Sequence, residues 1–145
     1  MIGECRFMRV KGGITHFAHV EVEITPGGQM VEVVDALPEQ VDPDNGEVNR
    51  RSEPSWVGAA LDGIRDVLGR AWRNGPSGAG CRASLVRLVG TAADTREDIV
   101  RCAAGLAAWQ ALGAEGTGPN AVFDGRRWVL HYPATVPSSA DGVSP

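Results

Sequence analysis

The sequence predicts an α+β domain in two layers, a β-sheet covered on one face by two helices. Three observations predict it: apolar and polar residues alternate over Phe17–Ile24, apolar residues recur at helical spacing over Trp56–Trp72, and a second, alanine-rich helical pattern covers Thr95–Leu112. A chain of 145 residues is in the usual size range of one domain. We therefore expect a single domain over residues 1–132.

The first third of the chain is typical of an antiparallel meander. Strands are predicted at Glu4–Val10, Phe17–Ile24 and about Gln29–Leu37, and the Thr25–Gly28 segment has the composition of a turn. Residues 38–52 are polar and contain two prolines and an Asn-Gly pair. They predict a long, exposed and mobile connection.

The first helix has recognisable end signals. Its apolar positions run from Trp56 to Trp72, Ser52 or Ser55 is available as the N-cap, and Asn74-Gly75 is a termination signal. A hydrophobic stripe of this kind indicates a helix packed on a sheet.

The second half of the chain predicts a strand, a helix and a strand. The strand is expected at Cys81–Val89, and Asp94 with Glu97 resembles a capping box at the start of the helix Thr95–Leu112. A last short strand is expected at Arg126–Tyr132.

Composition limits the classes of function. The net charge of −4 argues against a surface that is basic throughout, although a local basic patch remains compatible with it. Lys11 is the only lysine, so the chain has no P-loop and no nucleotide is expected.

Cysteine usage and hydropathy indicate the compartment. The cysteines Cys5, Cys81 and Cys102 are odd in number, widely separated and without a C-x-x-C pair, which favours buried thiols over a disulfide framework or a zinc site. No apolar run approaches the roughly 20 residues of a membrane span. We expect a cytoplasmic protein without a membrane partner, and a disordered Pro/Ser tail at residues 133–145.

The segment Arg9–Ile24, RVKGGITHFAHVEVEI, carries a family resemblance. It is similar to the first two strands of domain IV of elongation factor G, in which a strand ends in Arg, a Gly-Gly loop follows, and the chain returns through an aromatic residue, a small residue and His-Val. The matching residues are Arg9, Gly12, Gly13, Phe17, Ala18, His19 and Val20.

The resemblance continues in order over about residues 4–132. Ser55–Leu68 is similar to the first helix of that domain, Gly75-Pro76 follows as a Gly-Pro does in the family, and Leu88–Thr91 with Asp94 corresponds to its last strand and tip loop. The resemblance implies a β-α-β-α sandwich like the second domain of small-subunit ribosomal protein five, here standing alone without a GTPase.

The resemblance also implies a site for RNA, because in the family two tip loops enter the decoding centre beside codon and anticodon. Glycines allow a phosphate to approach the backbone, a lysine neutralises its charge, and Thr or His can bind a 2′-hydroxyl. The RNA-binding residues that it implies are Lys11, Gly12, Gly13, Thr15, His16, Thr91 and Asp94.

Two hypotheses of function follow. The first is a non-enzymatic module that associates with the ribosome or another structured RNA. The second is a protein-interaction or regulatory module that kept the fold and lost RNA binding, because Ala92 and Ala93 replace an aromatic residue and a histidine of the family's loop and Ile14 replaces a more polar residue.

Other chemistry is not expected. His16 and His19 are three residues apart on a strand, so their side chains point to opposite faces and cannot easily share a metal ion. The acidic residues around 38–52 are interpreted as a solvated loop. No motif identifies catalytic residues or a cofactor, and we do not expect an enzyme.

Overall fold

In the computed structural model, the described residues are 1–72, 79–113 and 118–133. They form six strands, two α-helices and one short 3-10 helix at Pro43–Asn45. The strands and helices are β1 (Ile2–Lys11), β2 (Ile14–Pro26), β3 (Val31–Asp35), α1 (Pro54–Ala71), β4 (Cys81–Val89), α2 (Glu97–Leu112), β5 (Asn120–Phe123) and β6 (Trp128–His131).

The main sheet has the strand order β1-β2-β4-β3. Strands β1 and β2 are antiparallel, β2 and β4 are antiparallel, and β3 and β4 are parallel. The predicted meander is therefore wrong at its third strand, because β4 lies between β2 and β3. A parallel pair needs a crossover connection, and the long connection containing α1 supplies it.

The two-layer α+β sandwich is confirmed. The alternating residues Ala18, Val20, Val22 and Ile24 of β2 are fully buried under the helices. Helix α2 packs on β1 and β2, whereas α1 packs on α2 and on β3 and β4. One face of the sheet is thus covered by helices, and we call the other the open face.

Small residues set the distance between the helices. A Cβ at Gly63 of α1 would lie 2.2 Å from the carbonyl oxygen of Arg101 in α2, and one at Gly105 of α2 would lie 2.5 Å from a methyl group of Leu130. The buried alanines of α2 are Ala103, Ala104, Ala107, Ala108 and Ala111. These small side chains allow the backbone of α2 to lie close to its neighbours.

Both predicted helix starts need correction. Helix α1 begins at Pro54 after Glu53, and α2 begins at Glu97 after Arg96; neither N-cap side chain makes a capping hydrogen bond. The capping box of Asp94 is wrong because the backbone turns there to bond with β2, as described below. The predicted terminator Asn74-Gly75 lies outside the described residues.

The connection 38–52 is tied to the sheet and is not the free loop that its composition suggests. The Val48 N–H donates to Leu88 O at 3.0 Å, and the Gly90 N–H donates to Gly46 O at 3.0 Å. Asn49 is buried and its side-chain amide donates to the carbonyls of Pro38 and Glu39.

The C-terminal strand belongs to a hairpin. Strand β6 pairs with β5 in a separate two-stranded sheet, and sequence patterning missed β5 because four residues are too few to show a period. The predicted tail at 133–145 lies outside the described residues except for Pro133. In the described ranges, neither helix combines the length and the apolar character that crossing a membrane requires.

The helix contact at Gly63 makes a testable prediction. Gly63→Ala should lower the free energy of unfolding by about 1–3 kcal/mol because the new methyl group meets the Arg101 carbonyl. The matched control is Gly69→Ala in the same helix, where a Cβ has no neighbour within 4 Å. The control should gain roughly 0.5–1 kcal/mol, since alanine favours helix. Urea unfolding followed by circular dichroism measures both, and equal stability of the two variants would contradict the packing described.

Candidate nucleic-acid interface

The β1–β2 hairpin ends in a tight turn of two glycines. Gly12 and Gly13 have φ of 60° and 79°, a geometry that favours glycine, and neither has a neighbour within 4 Å of a would-be Cβ. Lys11 and Ile14 flank the turn and are exposed. The backbone of this turn is therefore exposed at Lys11, Gly12 and Gly13, and their binding of RNA stays a prediction.

The second predicted loop, residues 90–95, lies at the same end of the sheet. The Phe17 N–H donates to Asp94 O at 3.0 Å, and the Thr95 hydroxyl donates to Phe17 O at 2.7 Å. The Thr91 N–H donates to Thr95 Oγ1 at 2.9 Å. This network holds the loop against β2 and leaves the Thr91 side chain exposed.

His16 is a correction to the predicted RNA-binding set. Its side chain is 4% exposed and packs beside the rings of Phe123 and Trp128, with ring centroids 6.1 Å and 5.8 Å away. It lies on the helix face of β2, whereas His19 lies on the open face, so their predicted separation is confirmed. A buried imidazole cannot reach a 2′-hydroxyl, and of the predicted residues on the hairpin only half-buried Thr15 then offers a hydrogen-bonding side chain besides Lys11.

The β5–β6 hairpin docks beside the tip through Trp128. Its indole meets the Phe7 ring edge to face at a centroid distance of 5.1 Å, and its backbone N–H donates to Asp98 at 2.7 Å. The guanidinium of Arg9 lies 5.0 Å from the Phe7 centroid and 5.7 Å from the indole. Aromatic burial therefore fixes both the hairpin and Arg9.

The β5–β6 turn contains two further arginines, Arg126 and Arg127, which sequence reasoning did not select. Arg127 lines a cavity with Gly63 and Asp66 of α1. The backbone N–H groups of both arginines donate to Asp124 at 2.9 Å. These hydrogen bonds lower the pKa of Asp124. The Asp-Gly-Arg-Arg sequence marks a turn, but only the contact of Trp128 with the sheet shows where that turn lies.

The charges at this end are mixed. Within the described residues, no carboxylate lies within 4 Å of the charged groups of Arg9, Lys11, Arg126 or Arg127, whereas most other arginines are in ion pairs. Acidic residues lie on the opposite flank, where the 42–47 turn meets Gly90. We call the end of β1 that carries Arg9 and Lys11 the basic tip.

Asp94 was predicted to bind RNA, and its position changes its role. Its carbonyl oxygen accepts from Phe17, and its own N–H is directed to Thr91. Its carboxylate would repel a phosphate. Asp94 therefore positions the loop, and Thr91 is the loop residue that offers a hydrogen-bonding side chain to solvent.

A second polar cluster lies on the open face. Cross-strand register places Glu4 beside His19 and Glu21, with ligand atoms within 4.8 Å of one another. His19 Nε2 is 2.7 Å from Glu4 Oε2, which is hydrogen-bond distance and shorter than the roughly 3.3 Å between two ligands on a tetrahedral Zn²⁺. Arg87 also contacts Glu21 at 3.4 Å. As arranged here, the cluster is a hydrogen-bond network.

The thiols are poorly suited to nucleophilic chemistry. Burial raises the pKa of Cys5 to about 11 and that of Cys102 to about 12, and burial also raises the pKa of Cys81. The thiolate is the reactive form, so these side chains stay protonated near neutral pH.

An open groove lies between residues 39–53 and the start of α1. It has a volume of about 580 Å³ and is lined in part by Glu39, Trp56 and Gly90. The carboxylate of Glu39 is bound by Arg50 at 2.9 Å and Arg51 at 3.0 Å. Catalytic acids and bases usually lie in surroundings that exclude water. The carboxylate of Glu39 is instead bound by two arginines.

Comparison with known proteins supports the fold alone. No protein-family model matches the chain, and no curated protein matches it. A crystal structure of a protein from Thermus thermophilus is similar with a TM-score of 0.57 and 16% identity, over 75% of this chain. This chain spans about 15% of the length of that protein. The likeness thus defines an α+β domain that also occurs as part of a much larger chain.

The loop network predicts the effect of removing one hydroxyl. Thr95→Val should lower the free energy of unfolding by about 1–3 kcal/mol, because the part-buried Phe17 carbonyl and Thr91 N–H lose the hydroxyl of buried Thr95 as their partner. Hydrogen exchange should accelerate at the Thr91 amide and leave the centre of β4 unchanged. Thr25→Val, at an exposed position of β2, is the control and should change neither. Unchanged exchange at Thr91 in the Thr95→Val variant would contradict the network.

Proposed function

We propose that this protein is a non-enzymatic module that associates with the ribosome or another structured RNA through its basic tip and the adjoining loop 90–95. The observation that carries the proposal is the juxtaposition of the glycine turn, the loop and the unpaired cations at one end of the sheet. Each part suits a phosphate backbone, since glycines expose N–H groups and cations neutralise charge.

The finer proposal is that the domain is of the elongation factor G domain IV kind. It is supported by the resemblance of Arg9–Ile24 to that family and by the two-layer fold, which places both predicted loops at one end. A domain of this kind acts by occupying a binding site on the RNA with its loops, which excludes other ligands from that site. No nucleotide hydrolysis by this chain is part of the proposal.

The charge pattern suggests how RNA would be oriented. Arg9 is held against the rings of Phe7 and Trp128, and the exposed Lys11 ends the same strand, so both present positive charge on one flank. The acidic 42–47 turn lies on the other flank. Phosphates would therefore lie along the basic tip, and Thr91 would face sugar or base edges.

A second candidate function is a protein-interaction module. It is favoured by the exposed apolar side chains at the same end, because Val10 and Ile14 are 67% and 59% exposed. Ala92 and Ala93 add a small, uncharged surface beside them. A protein partner would cover these apolar groups, and its binding would depend much less on salt than RNA binding does.

Co-sedimentation with ribosomes and separate subunits, over a series of salt concentrations, tests the proposal. Wild type should bind at low salt and dissociate as salt rises. Lys11→Glu combined with Arg9→Glu should weaken binding by more than about tenfold, and the salt slope should fall by about one for each phosphate that is no longer neutralised. The control is Arg65→Glu in α1, a helix position distant in sequence from the tip.

Three outcomes can be distinguished. Loss of binding in the tip variant alone supports the RNA proposal. Equal loss in the Arg65→Glu control indicates a general charge effect and contradicts a specific tip. Absence of binding by the wild type at every salt concentration rejects the RNA proposal and leaves the protein-interaction module as the better account.

A further inference from the structure

Strand β1 forms one edge of the main sheet, and its backbone is available for pairing along that edge. In the described part of the chain β1 has a single strand neighbour, β2. The Met1 amine donates to Ile24 O at 3.2 Å, and the Ile24 N–H donates to Met1 O at 2.8 Å. Met1 and Ile24 thus form a hydrogen-bonded pair. In an antiparallel ladder, hydrogen-bonded pairs alternate along the strand with pairs that exchange no hydrogen bond.

The unbroken register of β1 with β2 carries this alternation from Ile2 to Lys11. Odd-numbered residues of β1 therefore bond to β2, and even-numbered residues turn their N–H and C=O groups to the free edge. The Glu4 N–H confirms the parity, because it donates to the side-chain oxygen of Gln110 and not to β2. A strand that pairs with this edge must use the even-numbered residues.

The side chains of those residues form a complementary sequence on the open face. From Ile2 to Val10 they read apolar, acidic, basic, apolar, apolar. Ile2, Met8 and Val10 are 67%, 52% and 67% exposed. Such a long edge strand with exposed apolar residues favours pairing with another strand.

We propose that two copies of this chain pair through β1, antiparallel and centred on Cys5. In this register Ile2 lies opposite Met8 of the second copy, and Glu4 lies opposite Arg6 of the second copy. The two-fold symmetry makes each pair occur twice. Opposite charges and apolar side chains directly across an antiparallel pair both stabilise it.

The neighbouring registers are disfavoured by charge. Centring the pair on Arg6 places Arg6 opposite its own copy, and centring it on Glu4 places two carboxylates opposite each other. Like charges directly across a strand pair destabilise it. Registers that shift by one residue place even-numbered residues opposite odd-numbered ones, whose hydrogen-bonding groups already face β2.

The charged side chains of the edge are held on the open face in the single copy. Glu4 is 2.7 Å from His19, and the guanidinium of Arg6 lies 5.8 Å from the centroid of the Phe17 ring. Both lie beside the edge, where a second copy would meet them. Pairing replaces Gln110 at the Glu4 N–H with a backbone carbonyl of the second copy.

The arrangement leaves the tips free. Antiparallel edges related by a two-fold axis join two four-stranded sheets into one, with the helices of both copies on the same side. The β1–β2 turns then point in opposite directions, and the dimer presents two basic tips at its two ends. The pairing does not rest on the proposed RNA function, since it uses neither Lys11 nor the loop 90–95.

Sedimentation equilibrium over a series of protein concentrations, with charge-exchange variants, tests the pairing. Glu4→Arg places arginines opposite each other, and Arg6→Glu places carboxylates opposite each other, so each variant should raise the dimer Kd by about tenfold or more. An equal mixture of the two variants should form heterodimers, because every facing pair is then again of opposite charge. The double variant Glu4→Arg/Arg6→Glu should also dimerise.

Glu23→Arg is the matched control, because it makes the same charge change at an exposed residue of β2, which is not an edge strand. It should dimerise as wild type does. Circular dichroism establishes that each variant is folded. A monomeric wild type at all concentrations overturns the proposal, and so does a dimer that the single variants leave unchanged or that the mixture of variants fails to restore.

Discussion

The burial of Trp128 against the sheet is the contact on which the tip end depends. The indole closes the core over Phe7 and His16, and it fixes the β5–β6 hairpin beside the end of β1. The same ring supports the guanidinium of Arg9. Burying an aromatic side chain of this size is among the larger single contributions to a small core, so one contact both stabilises the fold and positions Arg9.

The crossover through α1 is the second constraint. Because β4 pairs with both β2 and β3, it lies inside the sheet, and β1 and β3 are left at its two edges. The loop after β4 then emerges beside the β1–β2 turn, where its backbone bonds to Phe17. A single topology therefore produces two separate surfaces, the basic tip at the end of the strands and the free backbone along β1.

Local patterns predicted much of this fold. Strand β4 has the predicted bounds Cys81–Val89, and the alternation in β2 correctly gave its buried face. The position of β3 could not be predicted in this way, since a period of two residues identifies a strand but not its neighbour. The capping box at Asp94 failed because a tertiary hydrogen bond from Phe17 competes for the same backbone.

The candidate site was predictable where local sequence determines it. The exposed glycine turn with Lys11 follows from the residues themselves, and Thr91 is exposed as expected. The burial of His16 was not predictable, because the rings that cover it belong to residues more than a hundred positions away.

Hydrogen–deuterium exchange of the protein with and without small ribosomal subunits, read by mass spectrometry, tests the central claim most directly. Peptides covering the β1–β2 turn and the loop 90–95 should be protected together, because hydrogen bonds to Phe17 hold the loop at the same end of the sheet as the turn. Peptides from α1 should exchange at the same rate in both samples. Protection confined to α1 or to the connection 38–52, or protection of one of the two tip segments without the other, would contradict the account.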